Sequence, residues 1–350
     1  MGPARLPTGS RTRTAAPNSG SHTRTAAPNS GTGIGPARSF PRSRQRVSPP
    51  RPSPRQRARQ WVSTARAYVA LTKPRIIELL LVTTVPTMVV AEQGIPPVWL
   101  MVATIAGGTL AAGGANAINM YFDRDIDRLM ERTKNRPLVT GAVAPRRALV
   151  FALVLEGAAF AWLWGFVNLL SAVLAVSATA FYVFVYTLWL KRTSSRNIII
   201  GGAAGAVPVL VGWAAVTNSL DWAPLVLFGL IFYWTPPHFW ALAIRYRDDY
   251  RAAGVPMLPA VASTRTTAVR ILGYTVILGA LSVLFSAVAE MGWVYLATAV
   301  VLGAVFLLLA VQVLRTQKAA AAMRLFSYSI TYITLLFGAM VVDQVVRTGV

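Results

Sequence analysis

The sequence contains no cysteine. That excludes disulfides, thiolate nucleophiles and Cys-ligated metal sites. Charge is also scarce: 13% of residues are Asp, Glu, Lys or Arg, against about a quarter in soluble domains. Acids are the rarer sign, 12 against 34 Lys and Arg, and histidine occurs twice. Chemistry on a small molecule would therefore have to use carboxylates, amides, phenols, cations or a bound metal.

What is present is apolar. Of 350 residues 55% are hydrophobic, and the mean hydropathy is +0.51. Repeated apolar runs longer than ~18 residues indicate a polytopic membrane protein. The formal charge of +22 then reports on topology and tail composition. It does not describe a nucleic-acid surface, and the lipid bilayer is the partner it implies.

Residues 1–62 stand apart. They hold twelve Arg and no acid, are rich in Pro, Ser and Gly, and repeat TRTAAPNSG at 12–20 and 23–31. Such a segment cannot bury a core and is expected to be disordered. An Arg-rich, Ser-rich, acid-free leader also has the composition of an organellar transit peptide. A low-complexity tail without a catalytic role is the other reading. Residues 63–350 are expected to form one transmembrane domain.

From Lys73 onward nine spans are expected, at about 76–93, 98–122, 148–166, 168–189, 198–217, 223–244, 268–288, 292–313 and 325–346. Charge placement tests that count. Basic residues cluster after the second, fourth, sixth and eighth spans, and the opposite loops carry none. The positive-inside rule then puts the N-terminus in the cytoplasm and the C-terminus outside. Small residues in AGGTLAAGGANAIN and IGGAAGAVP would let helix backbones approach closely.

Against this background, four acids fall within nine residues of NMYFDRDIDRLMERTKNRPL (119–138). Asn119, Asp123 and Asp127 lie at i, i+4 and i+8 and share one helix face. Two carboxylates at that spacing repel unless a cation lies between them. The oxygen-rich face suits Mg²⁺, which usually binds one or two carboxylates plus substrate phosphates. Arg132, Lys134 and Arg136 follow and could hold diphosphate oxygens. The alternative is a solvated helix end in which Asp125 pairs with Arg128, and Glu131 with its basic neighbours. A second stretch, WTPPHFWALAIRYRDDYRAAGVPMLP (234–259), again sets acids, Asp248 and Asp249, among arginines. An even number of helices separates the two, so both face one side of the membrane.

The Asn119-x-x-x-Asp123-x-x-x-Asp127 motif resembles that of the UbiA superfamily of intramembrane prenyltransferases. YVALTKPRIIELLLVTTVP (68–86), DRDIDRLMERTKNRPL (123–138), YTLWLKRTSSRNIIIGGAAGAVPVLVGW (186–213) and YRDDYRAAGVPMLP (246–259) resemble its haem-farnesylating branch. The resemblance spans about residues 66–346 and excludes the tail. It implies an all-α, nine-helix transmembrane bundle with farnesyl diphosphate and haem b as substrates. Haem O, formed with water addition, and diphosphate would be the products, and Mg²⁺ the cofactor. Asn119, Asp123 and Asp127 would hold Mg²⁺–diphosphate, with Asp248 and Asp249 as the second metal group. Arg132, Arg136, Lys191 and Arg192 would meet diphosphate or haem propionates. The vicinal Asp248-Asp249 departs from the superfamily's Asp-x-x-x-Asp and leaves open which of them touches metal. A bacterial cell membrane is the expected location, the mitochondrial inner membrane the alternative. A downstream haem-modifying enzyme or haem–copper oxidase assembly could take the product.

Other polar residues keep two readings. Lys191 and Arg192 could be topogenic, and Lys73 and Arg75 interfacial anchors. His238, within the sixth span after Pro236-Pro237, could orient haem or ligate its iron. It could equally bond backbone carbonyls freed by the prolines. Asn116 reads as a helix link, Glu78 as a partner of Arg75, and Glu156 has no visible partner. Aromatics such as Tyr182, Tyr186 and Trp234 could line a prenyl tunnel or simply pack. A prenyltransferase with another aromatic acceptor, or a transporter with polar groups along the bilayer midplane, are the competing functions.

Overall fold

The computed structural model describes residues 53–349. Residues 1–52 of the leader lie outside the described residues, as do the side chains of Arg75 and Glu78. Residues 54–62, assigned by composition to the disordered leader, are helical instead: α1 runs Pro54–Thr72. Its run of Arg, Gln and Ala favours helix once Pro is confined to the first position.

The remaining long helices are α2 (Pro74–Glu92), α3 (Val98–Phe122), α4 (Pro145–Phe166), α5 (Leu169–Thr193), α6 (Asn197–Thr217), α7 (Trp222–Arg245), α8 (Thr264–Val288), α9 (Trp293–Thr316) and α10 (Ala319–Thr348). Each expected span falls on one of α2–α10. Among the described residues eight, α3–α10, are long and apolar enough to cross a membrane; α2 contributes the apolar stretch Val82–Glu92. Exposed apolar residues such as Trp164, Phe184, Val301 and Leu308 are what a bilayer would cover.

Sequential helices pack as neighbours from α2 to α10, and α10 returns to α2, so the contacts close a ring. Cross-contacts of α2 with α6 and of α7 with α10 fill its middle. Some of the scarce acids serve as caps. Asp221 accepts from Ala223 N at the start of α7 (3.0 Å). Asp343 of α10 is buried and accepts from Gly292 N (2.6 Å) and Tyr295 N (3.0 Å), closing the N-terminus of α9.

Glycines of both small-residue stretches face neighbouring side chains, Gly107 against Leu163 and Gly202 against Thr235, and the tightest backbone approach lies just beyond them. A Cβ on Gly212 of α6 would stand 2.8 Å from the backbone oxygen of Thr84 in α2. Asn116 Nδ2 donates to Thr72 O at 3.3 Å, linking α3 to α1.

Candidate active site

The acid cluster forms where α3 ends. Asp123 interrupts regular helix, and a short helix, Arg124–Leu129, follows. The hydrogen-bond register nevertheless runs through the break. Asp123 N donates to Asn119 O (2.9 Å) and Asp127 N to Asp123 O (2.8 Å). Asn119, Asp123 and Asp127 therefore keep one face, and all three are buried, Asp123 completely.

Buried carboxylates need partners, and the chain supplies cations from three places. Lys191, at the end of α5, pairs with Asp123 Oδ2. Arg136 Nη1 reaches both oxygens of Asp127, at 2.8 and 2.7 Å. Arg192 grips Asp125 with two nitrogens, at 2.7 and 2.8 Å, and holds that carboxyl down to about 2. Lys73, in the turn between α1 and α2, donates to Asn119 Oδ1 at 2.9 Å. Burial, with Arg136 and Lys191 beside it, pushes the Lys73 ammonium down to about 7. Its backbone is left-handed (φ 52°), an unusual conformation for a residue with a side chain.

α5 contributes through irregular backbone: Phe181–Leu190 is π-helical, a form that often marks functional segments. There Thr187 accepts from Asn119 Nδ2 (3.1 Å) and donates to Tyr182 O (2.9 Å). Tyr182 and Tyr186 stack with centroids 5.4 Å apart. Gly201 of α6 leaves room for the Tyr186 ring.

The second acidic stretch packs onto the first. Tyr250, Val255 and Met257 share a buried cluster with Ile126 and Met130. Burial raises the Tyr250 phenol, and Arg132, hydrogen-bonded to it, pulls the other way. A cavity of about 180 Å³ between Ile126, Leu129, Gly254 and Val255 marks the same junction. Asp248, however, does not join the carboxylates. Its side chain is 80% exposed and faces Arg251 (3.4 Å) and Arg247 (3.6 Å). The short helix Arg247–Ala252 buries Tyr250, and a residue two positions earlier lies about 200° round the helix, on the opposite face. Asp249 is half-buried. Among the described residues no three Asp, Glu or His side chains converge for a metal.

The first group does fit a magnesium ion. Among the described residues Asp123 Oδ1 is buried without a hydrogen-bond partner, and Arg192 stands 4.0 Å from it. An orphaned, charged oxygen beside a second carboxylate and an amide is the oxygen set Mg²⁺ takes together with substrate phosphates.

Several outcomes differ from the sequence reading. Asp125 pairs with Arg192 rather than Arg128, while Glu131 pairs with Lys134. Lys73 is part of the polar cluster rather than an anchor. Asn197, at the start of α6, carries no sequence signal: it is fully buried, and among the described residues both its amide atoms lack hydrogen-bond partners. Glu156 accepts from Thr179 of α5 (3.3 Å) and lies against Gly114 of α3. His238 bonds Ser329 of α10 (2.6 Å), outside the acid cluster.

Fold and site together define a multi-pass membrane enzyme that gathers cations around buried carboxylates at one end of a helical bundle. The chain matches the UbiA prenyltransferase family over residues 80–337 and belongs to it. The Protoheme IX farnesyltransferase of Kineococcus radiotolerans is 53% identical over 303 residues, 81% of this chain and 89% of that protein. The one from Frankia casuarinae is 55% identical over 286 residues, 81% and 99%. Among solved structures, a digeranylgeranylglyceryl phosphate synthase aligns with a TM-score of 0.68 at 17% identity, covering 81% of this chain and 99% of that one. A UbiA homologue from Archaeoglobus fulgidus bound to GPP and Mg²⁺ aligns at 0.56 with 15% identity, covering 79% and 99%. The chain is thus a prenyltransferase of the cell membrane, and the transporter reading falls away.

Proposed function

We propose that this prenyltransferase moves the farnesyl group of farnesyl diphosphate onto a vinyl group of haem b, giving haem O and diphosphate. The acceptor rests on the 53% and 55% identical relatives. The chemistry rests on one observation above all: a fully buried Asp123 with a free oxygen, paired with Lys191 and near Arg192, while Lys73 and Arg136 hold the neighbouring Asn119 and Asp127.

A vinyl group is a weak nucleophile, so the farnesyl carbon must become strongly electrophilic. Heterolysis of its C–O bond leaves the electron pair on diphosphate and an allylic cation behind. Asn119, Asp123 and Asp127 would hold Mg²⁺, which when bound supplies positive charge beside the departing group. Lys191 and Arg136 now neutralise those carboxylates; the same cations are at hand for an incoming diphosphate. The stacked Tyr182 and Tyr186 offer π faces to the allylic cation. The vinyl group attacks, forming the new C–C bond. Water then adds at the adjacent carbon and loses a proton, giving the hydroxyethylfarnesyl product.

Membranes containing the chain, incubated with haem b and farnesyl diphosphate, should yield a more hydrophobic haem on chromatography. If no such haem forms while another aromatic acceptor is prenylated, the acceptor is wrong and the transfer chemistry stands.

A further inference from the structure

His238 is held in one orientation by contacts that, among the described residues, leave one ring nitrogen unused. Its ring stacks on Trp234 (4.3 Å between centroids, 21° between planes) and lies near-parallel to Phe326 (4.6 Å, 32°), with Phe239 edge-on at 5.1 Å. Nδ1 is 2.6 Å from Ser329 Oγ. That hydroxyl also lies 2.6 Å from the carbonyl of Phe326, which can only accept, so its one proton is committed there. Nδ1 must therefore carry the imidazole proton and donate it to Ser329 Oγ. Trp234 Nε1 donates to the carbonyl of the same serine (2.8 Å), fixing both rings to α10.

The consequence falls on Nε2, which is left with a lone pair. It makes no hydrogen bond among the described residues and is absent from the buried, unpartnered atoms, and the residue keeps part of its surface open. Its direction follows from its neighbours on α7. Trp240 and Tyr233 pack on Tyr274 of α8; Trp234 faces α10, and Thr235 abuts Gly202 of α6. At about 100° per residue, His238 falls between the α10-facing and α6-facing positions. That sector looks toward α2, which packs on both of those helices. The partner of His238 is Ser329, not the carbonyls freed by Pro236 and Pro237. A neutral imidazole with one nitrogen locked in a hydrogen bond and the other bare is the arrangement of metal-ligating histidines.

We infer that His238 binds the acceptor substrate through Nε2, as an axial ligand to porphyrin iron, with Ser329 as the residue that fixes its tautomer. This rests on the haem acceptor proposed above. Ligation would anchor the porphyrin about 12 Å along α7 from Tyr246.

The test is spectroscopic and does not depend on turnover. The full chain in lipid nanodiscs is titrated with haem b and, separately, with iron-free protoporphyrin IX. Wild type should show a histidine-ligated Soret band. His238→Ala should shift that band and weaken haem binding about tenfold or more, leave protoporphyrin binding unchanged, and recover the band with added imidazole. Ser329→Ala should weaken haem binding about ten- to a hundredfold. His238→Met, which keeps bulk and offers a thioether, should give a distinct spectrum. Retained binding of farnesyl diphosphate checks that each variant is folded. A wild-type spectrum in folded His238→Ala or His238→Met overturns the ligation, whereas absence of farnesylated haem from wild type overturns the acceptor.

Discussion

Arg136 spans both oxygens of Asp127 with a single nitrogen, at 2.8 and 2.7 Å, and the carboxylate side chain is only 3% exposed. The pair closes the segment after α3 onto itself, since nine residues separate its members. Removing the cation alone strands a buried charge. Arg136→Ala should therefore destabilise the protein by about 3–5 kcal/mol, read as a fall in thermal unfolding midpoint in detergent. The double variant Arg136→Met with Asp127→Leu should regain most of that stability, because a matched apolar pair leaves no charge uncompensated. It should not regain transfer activity. Recovery of activity in the double variant would show that the pair only holds the fold.

Asp123 makes a sharper separation of stability from chemistry. Asp123→Asn keeps the side-chain shape and a partner for Lys191 but removes the charge on the orphaned oxygen. Transfer should fall about 100- to 1000-fold, the scale of losing one preorganised electrostatic group. The magnesium concentration needed for half-maximal rate should rise, and chelation should silence wild type. Expression should persist, and the unfolding midpoint should fall less than in Arg136→Ala, because the amide oxygen can still accept from Lys191. Undiminished farnesyl transfer by this variant would remove Asp123 from the metal site.

The contrast between Asp127 and Asp248 shows how far residue spacing could be read. Asn119, Asp123 and Asp127 were legible because i, i+4 spacing survives the break at Asp123: the hydrogen bonds continue through it. The long helices were legible for the same local reason, each apolar run being a self-contained element. For Asp248 the spacing gives the stretch but not the direction, because a six-residue helix is oriented by what it buries, here Tyr250. Lys73 reads as an anchor from its place before an apolar run. Only the packing of the α1–α2 turn onto α3 brings its ammonium to Asn119. Thr187 and Asn197 carried no signal, since a polar residue near a helix end is ordinary until its surroundings are known.

Glycine spacing suggests close helix packing in both small-residue stretches, yet the tightest backbone approach is at Gly212, outside them. Gly212→Ala drives a methyl to 2.8 Å from the Thr84 carbonyl oxygen, a backbone atom that cannot rotate away. α2 and α6 must then part, at about 1–3 kcal/mol. Gly205, on the same helix, has open space where a Cβ would go. Gly205→Ala should be neutral or slightly stabilising by helix propensity. Side-by-side thermal unfolding of the two variants checks this, and equal effects would contradict the α2–α6 contact.

Lys73 gives the site a pH dependence whose sign can be worked out. In the unliganded protein burial and the neighbouring Arg136 and Lys191 lower its pKa to about 7. A diphosphate bound against it stabilises the charged form and raises that value. Binding above pH 7 must therefore be accompanied by proton uptake, and affinity should fall as pH rises, by up to ~tenfold per pH unit. Diphosphate titrates in the same range, so the wild-type profile alone is not decisive. Lys73→Met carries only the ligand's own titration. The ratio of variant to wild-type dissociation constants, measured by calorimetry with diphosphate and Mg²⁺, should be large at pH 6 and shrink toward pH 9. Lys73→Arg, whose guanidinium stays protonated throughout, should hold its ratio to Lys73→Met constant across that range. A ratio for Lys73→Met that does not move with pH would mean that the ammonium never meets the phosphate and serves only to orient Asn119.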